Sequence, residues 1–183
     1  MGCRVEESDP PSIDECSAVA IGHWVSFCAL LVELLGPDAK RLDPSLLEMA
    51  ARGAAMSAQE VTALYVRRGE LGSIVNGFFD RFDLLVAPVI YCNPPSLANL
   101  DQARPLVPQT TNWCNVTGLP AASVPCGFTS NGLPIGLQIV GRRHADVDVL
   151  RASHAFEQAA RSPPARSYPW ADRTSPAQKT QAH

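Results

Sequence analysis

Residues Cys16 to Leu35 form an almost unbroken apolar run whose only charged or basic side chains are His23 and Glu33. About twenty such residues suffice to cross a bilayer as a helix. The run therefore either spans a membrane or forms the spine of a packed core, and the residues support the core. His23 and Glu33 would sit in hydrocarbon, and no basic cluster flanks the run. Cys16, Val19, Ala20, Phe27, Leu30, Leu31 and Leu34 also recur on one helical stripe. The expectation is a buried helix in a cytoplasmic protein that has no membrane partner.

The rest of the 183 residues agrees. Apolar residues make up 46% and charged residues 18%, enough apolar material for a core and too much for wholesale disorder. A net charge of −3 lacks the basic footprint of a nucleic-acid binder, so no nucleic-acid partner is expected. Six cysteines (Cys3, Cys16, Cys28, Cys92, Cys114 and Cys126) contain no CxxC pair, which argues against structural zinc and against a disulfide framework. They read as reduced, mostly buried thiols. No metal and no cofactor is expected. The first residues, Met1-Gly-Cys-Arg-Val-Glu-Glu7, reach acidic side chains at once and form no signal-peptide apolar region.

Local signals place the elements. Ser12-Ile-Asp-Glu15 reads as a capping box and Gly36-Pro37 as a stop, predicting a helix over about 13–35. Asp43-Pro44 starts a short helix through Arg52, closed by Gly53. Ser57-Ala-Gln-Glu60 is a second capping box and opens a helix to about Phe79, with Val61, Leu64, Tyr65, Leu71, Val75 and Phe78 on its apolar face. Gly69, Gly72 and Gly77 cost that helix about 1 kcal/mol each relative to alanine, so packing must hold it. The continuous apolar run Leu84 to Tyr91 reads as a buried strand of the kind found in parallel sheets, ending or bending at Pro88. Residues 92–110 read as a long loop. Ala121–Cys126 and Leu133–Val140, joined through Asn131-Gly132, read as a hairpin. Asp146 caps a last helix with Val149, Leu150, Phe156 and Ala160 buried. Alternating helices and strands give an α/β class.

The run Asn115-Val-Thr-Gly-Leu-Pro-Ala-Ala-Ser-Val-Pro-Cys-Gly127, followed by Gly132-Leu-Pro-Ile-Gly-Leu-Gln-Ile-Val-Gly141, resembles the C-terminal part of the amidase signature family. That family takes in fatty-acid amide hydrolases, bacterial amidases and the glutaminase subunit of tRNA-dependent amidotransferases. Arg68, Phe82–Pro88, Asp148–Leu150 and Glu157 follow in the family's order and spacing. The resemblance implies that residues 1–161 are the C-terminal part of an amidase domain, a mixed β-sheet covered by α-helices, with a strand at Cys3–Glu7. Residues 162–183 are expected to be a disordered tail.

The activity it implies is hydrolysis of amide C–N bonds by a Ser-Ser-Lys triad in a Gly/Ser-rich segment lying upstream. A neutral lysine there deprotonates the serine nucleophile through a bridging serine. This chain has two lysines, Lys40 and Lys179, and no Ser-Ser or Gly-Gly-Ser segment, so no catalytic residue is assigned. The expectation is a truncated amidase, inactive alone, that takes a small-molecule amide substrate once an upstream segment completes it. The alternative is a non-catalytic remnant that acts in binding or assembly, or has no independent function. A sheet cut at its edge should also promote self-association.

Three residues are candidates for substrate binding. Thr111 and Asn115 belong to the segment that, by resemblance, approaches the acyl pocket; turn formation and backbone capping would explain them equally. Arg68 falls on the apolar stripe of its helix, where a guanidinium must reach an anion or snorkel to water. Asp83 or another carboxylate could pair with it, it could pass Tyr65 to solvent, or it could hold an acidic group of a substrate. In the glutaminase branch an arginine at this position would hold an α-carboxylate, but the acidic partner expected seven residues before Asn115 is Pro108, which favours general amidases. A thiol nucleophile at Cys114 or Cys126, and a metal at His144-Ala-Asp146-Val-Asp148, are explained more simply by buried apolar cysteines and a helix start. His23 reads as a hydrogen-bonded core histidine.

Overall fold

The computed structural model describes residues 2–94 and 111–160. The expected loop beyond residue 94, Pro108 and the 162–183 tail lie outside the described residues. Helix α1 spans Ile13–Leu35 and runs into a 3-10 turn over Gly36–Arg41. Helix α2 spans Pro44–Ala54 and α3 spans Ala58–Phe78. Strand β1 (Leu84–Pro88) precedes a short helix α4 (Asn112–Thr117), the hairpin β2 (Ala121–Phe128) and β3 (Pro134–Gly141), and helix α5 (Asp146–Ala160).

The sheet order is β1-β3-β2, with both pairs antiparallel. Among the described residues strand β1 is thus an antiparallel edge strand with Val86 exposed, and the fully buried parallel strand expected at Leu84–Tyr91 is not found. Pro88, which has no N–H to donate, ends it. No strand forms at Cys3–Glu7 either: that segment is exposed and has no neighbouring strand among the described residues.

Successive side chains of β3 point to opposite faces, and this divides the apolar interior into two cores. Val140 faces α1, α3 and α4, packed with Cys16, Val19, Leu71, Val75 and Trp113. Ile139 faces α5 with Val124, Val149 and Phe156. The result is helices on both faces of a sheet, an α/β architecture. On α5 the contact face is Val149, Ala152, Ser153 and Phe156, and Leu150, one position out of phase, is 65% exposed rather than buried. Ala160 is exposed too.

The two capping boxes part company. At Ser57 both reciprocal bonds form, with Glu60 accepting from the Ser57 N–H at 2.7 Å and the Ser57 hydroxyl accepting from the Glu60 N–H at 3.2 Å. At Ser12 the backbone is left-handed and no cap bond forms. Glu15 instead accepts from Arg67, 52 residues away on α3, at 2.6 Å, and that guanidinium holds the Glu15 carboxyl below the usual range. Gly53 does not close α2 but lies inside it, buried against α1. Three of the six cysteines are buried (Cys16, Cys28 and Cys114) and three are exposed.

The hairpin forms as its turn chemistry predicts. Gly132 takes a positive φ of 84°, and the Thr129 N–H donates to the Leu133 carbonyl at 2.8 Å. Between Pro125 and Gly127 the register slips, leaving Cys126 at a bulge. Gly136 permits a close approach: a Cβ there would lie 2.7 Å from the Ser123 hydroxyl and 2.9 Å from a Val89 methyl.

Candidate functional site

Helix α4 has six residues, so most of its carbonyls have no partner within the helix. Every one from Trp113 to Thr117 is nonetheless satisfied. The Thr117 hydroxyl donates back to the Trp113 carbonyl at 2.6 Å, and the Gly118 N–H donates to the Cys114 carbonyl at 2.9 Å. Arg68 on α3 donates through Nε to the Val116 carbonyl at 3.0 Å and through Nη2 to the Asn115 carbonyl at 3.3 Å. Arg143, just past β3, donates to the Thr117 carbonyl at 2.6 Å. Two cations thus sit at the negative end of the helix, where its dipole favours them. Gly72 makes room for the second: a Cβ there would fall 2.5 Å from the Arg143 guanidinium.

Arg68 is therefore neither paired with Asp83 nor bonded to any other carboxylate among the described residues. It lines a groove of about 740 Å³ between α1, α2, α3 and α4. Asn115 lines the same groove, so two of the three candidate residues meet there. Thr111 does not: it lies exposed at the start of α4, makes no cap bond, and is not in the lining. Ile21, Trp24 and Phe27 give the groove an apolar wall, and Arg52 adds a second cation. No serine, cysteine or lysine among the described residues lines it. Such a surface can hold an apolar body with a polar or acidic end, and among the described residues it offers no hydroxyl, thiol or amine nucleophile.

His23 also lines the groove, with its ring edge-on to Tyr65 at 4.5 Å between centroids. It is hydrogen-bonded to the Leu64 backbone, as expected of a core histidine, but its Nε2 is buried and has no hydrogen-bond partner among the described residues. Burial first, and the Arg68 guanidinium second, hold the imidazole below its usual value, against a hydrogen bond to the Leu64 backbone. Above about pH 6.5 folded and unfolded chains both carry it neutral. As pH falls through that value the unfolded chain takes the proton first, so stability drops towards the lowered folded value. A His23→Gln variant should lose that part of the pH slope below about pH 6.5, read as the difference between the two denaturation midpoints.

The rival chemistries find little here. Burial pushes the Cys114 thiol up to about 12, and its sulfur accepts from the Gln138 amide at 3.7 Å. A thiol so hard to ionise is a poor nucleophile. Cys126 is exposed at the bulge, where its thiol donates to the Ile135 carbonyl. No group of three or more metal-ligating side chains occurs among the described residues. Lys40 lies exposed in the 3-10 turn. Arg143 carried no sequence signal of its role, since its partners are a backbone carbonyl and the gap over a glycine.

Comparison with known proteins adds a frame for this geometry. A family model described as Amidase matches residues 1–150. Over 119 residues the chain is 39% identical to a subunit of the glutamyl-tRNA(Gln) amidotransferase of Brevibacillus brevis, covering 58% of the chain and 23% of that protein. It is 28% identical to an acylamidase of Rhodococcus erythropolis over 94% of its own length and 37% of the relative's. Among solved structures, a bacterial aryl acylamidase of the amidase signature enzymes matches with a TM-score of 0.65 at 34% identity, over 87% of this chain and 37% of that one. The chain thus spans between about a quarter and two fifths of the length of the proteins it matches.

Proposed function

Because the chain belongs to the amidase signature family, we propose that its residues build one wall of the substrate funnel of an amide C–N hydrolase, with the nucleophile supplied by residues outside these 183. The lining of the groove carries this reading. It joins an apolar wall to Arg68 and Asn115 and, among the described residues, contains no side chain able to act as a serine, thiol or amine nucleophile. In this role Asn115 and Arg68 contact the substrate, and Thr111 only precedes the helix that carries Asn115. The substrate is a small-molecule amide with an aryl or alkyl body. In this reading residues 1–161 form the C-terminal part of the domain. Free cysteines fit a reducing compartment, and the proposal places the protein in the cytoplasm.

The purified chain should hydrolyse neither aryl nor aliphatic amides above background, since absence of a whole catalytic unit leaves only weak assistance from binding. Hydrolysis should appear when the chain is joined to an upstream family segment that carries the triad. Turnover by the chain alone that survives repurification, and that Cys114→Ala or Cys126→Ala abolishes, would replace this reading with a thiol hydrolase.

A further inference from the structure

The apolar stripe of α1 changes surroundings halfway along. Stepping by three or four residues, Cys16, Val19, Ala20 and His23 lead directly to Phe27, Leu30 and Leu34. Cys16 and Val19 are buried in the core against α3 and α4. Phe27, Leu30 and Leu34 continue the same stripe beyond those elements and are 50%, 49% and 73% exposed. The opposite side of this half is already occupied, with Val25 and Cys28 buried on the side towards α2. Trp24 flanks the stripe, 5.9 Å from Phe27 between ring centroids. From Cys16 to Leu35 the one charged residue is Glu33, whereas a helix surface built for water carries charges throughout.

We propose that the outer half of this stripe, Phe27, Leu30 and Leu34 with Trp24, is the docking surface for the rest of an amidase domain. The proposal rests on the functional reading above. The share of the relatives that this chain covers names the occupant. The aryl acylamidase overlays 87% of the chain with 37% of its own length, and a second amidase structure, at 21% identity and a TM-score of 0.72, overlays 81% with 36%. In such molecules nearly two thirds of the polypeptide must pack around a unit of this shape. A surface that prolongs the core stripe is where that packing continues. A bilayer fits less well. The helix meets two criteria for a span, length and apolarity. Yet Cys16, Val19, Val25 and Cys28 fix it to protein on two sides, leaving a strip rather than a circumference for lipid. The groove that holds Arg68 and Asn115 shares Trp24 and Phe27 with this strip, so the docked segment would also close the candidate site.

The test mixes the 183-residue chain with the aryl acylamidase segment that lies outside the matched third, expressed as a separate polypeptide, and measures association by sedimentation velocity. Association is expected, weakened at least tenfold by Leu30→Glu and unchanged by Leu150→Glu, a control on the exposed side of α5. Both side chains are exposed, so circular dichroism and the melting curve of each variant alone should match the parent chain. Absence of association, or association indifferent to Leu30→Glu, overturns the proposal. So does self-association of the chain alone that Leu30→Glu abolishes, which assigns the strip to a second copy. Partition into phosphatidylcholine vesicles that the same substitution abolishes assigns it to lipid and overturns it too. Hydrolysis is read separately. Docking without hydrolysis rejects the functional reading and keeps the surface, whereas hydrolysis in a complex indifferent to Leu30→Glu rejects the surface alone.

Discussion

Gly53→Ala should destabilise the chain by about 2 kcal/mol, although alanine is the better helix former by about 1 kcal/mol. The sign is the point of the experiment. Gly53 lies within α2, and a Cβ built on it would stand 2.5 Å from the Val25 carbonyl carbon of α1, closer still to its oxygen, and 3.0 Å from the Ser26 nitrogen. All three are backbone atoms, so no side chain can swing aside and the two helices must separate. Overpacking of this kind costs about 3 kcal/mol, which outweighs the gain in propensity. Gly69, on α3, has no atom within 4 Å of its missing Cβ. There the propensity term acts alone, and Gly69→Ala should stabilise by about 1 kcal/mol. Urea denaturation of the two variants checks both; a stabilised Gly53→Ala would mean that α1 and α2 do not cross where they are placed.

Arg68→Ala is expected to act twice. It strips the hydrogen-bond donors from the Val116 and Asn115 carbonyls and should lower stability by about 2 kcal/mol, the range for bonds to a charged group. In a reconstituted enzyme it should also raise KM for carboxylate-bearing amides at least tenfold more than for neutral ones, because the guanidinium is one of the groove's cations. The two effects separate experimentally. A fall in the denaturation midpoint accompanied by equal KM changes for both substrate types would leave Arg68 as a clamp on α4 with no part in choosing substrates.

What could be read from the sequence was what neighbouring residues decide. The Ser57 capping box and the Asn131-Gly132 turn are complete within a few residues, and both form. The Ser12 box has the same letters and fails because Arg67, distant in sequence, takes its glutamate. Gly53 read as a helix stop because nothing local announces that another helix passes over it. The phase of α3 correctly put Arg68 on the side of the apolar stripe, but its partners are main-chain carbonyls, which no residue type marks. The same limit hid Arg143. For α1 the apolar stripe was legible, but not that the described residues bury only its first half.

Helix α4 is far shorter than an isolated helix needs to persist in water. Its shape is borrowed from α3 and from the end of β3 through Arg68 and Arg143. The wall it forms is consequently ordered before any ligand arrives, and binding loses no conformational entropy in arranging it. The same debt removes any independent freedom. Residues 112–117 cannot open as a local gate while the arginines hold, so this wall and the sheet behind it belong to one cooperative unit, and any change in the width of the groove must come from its opposite side.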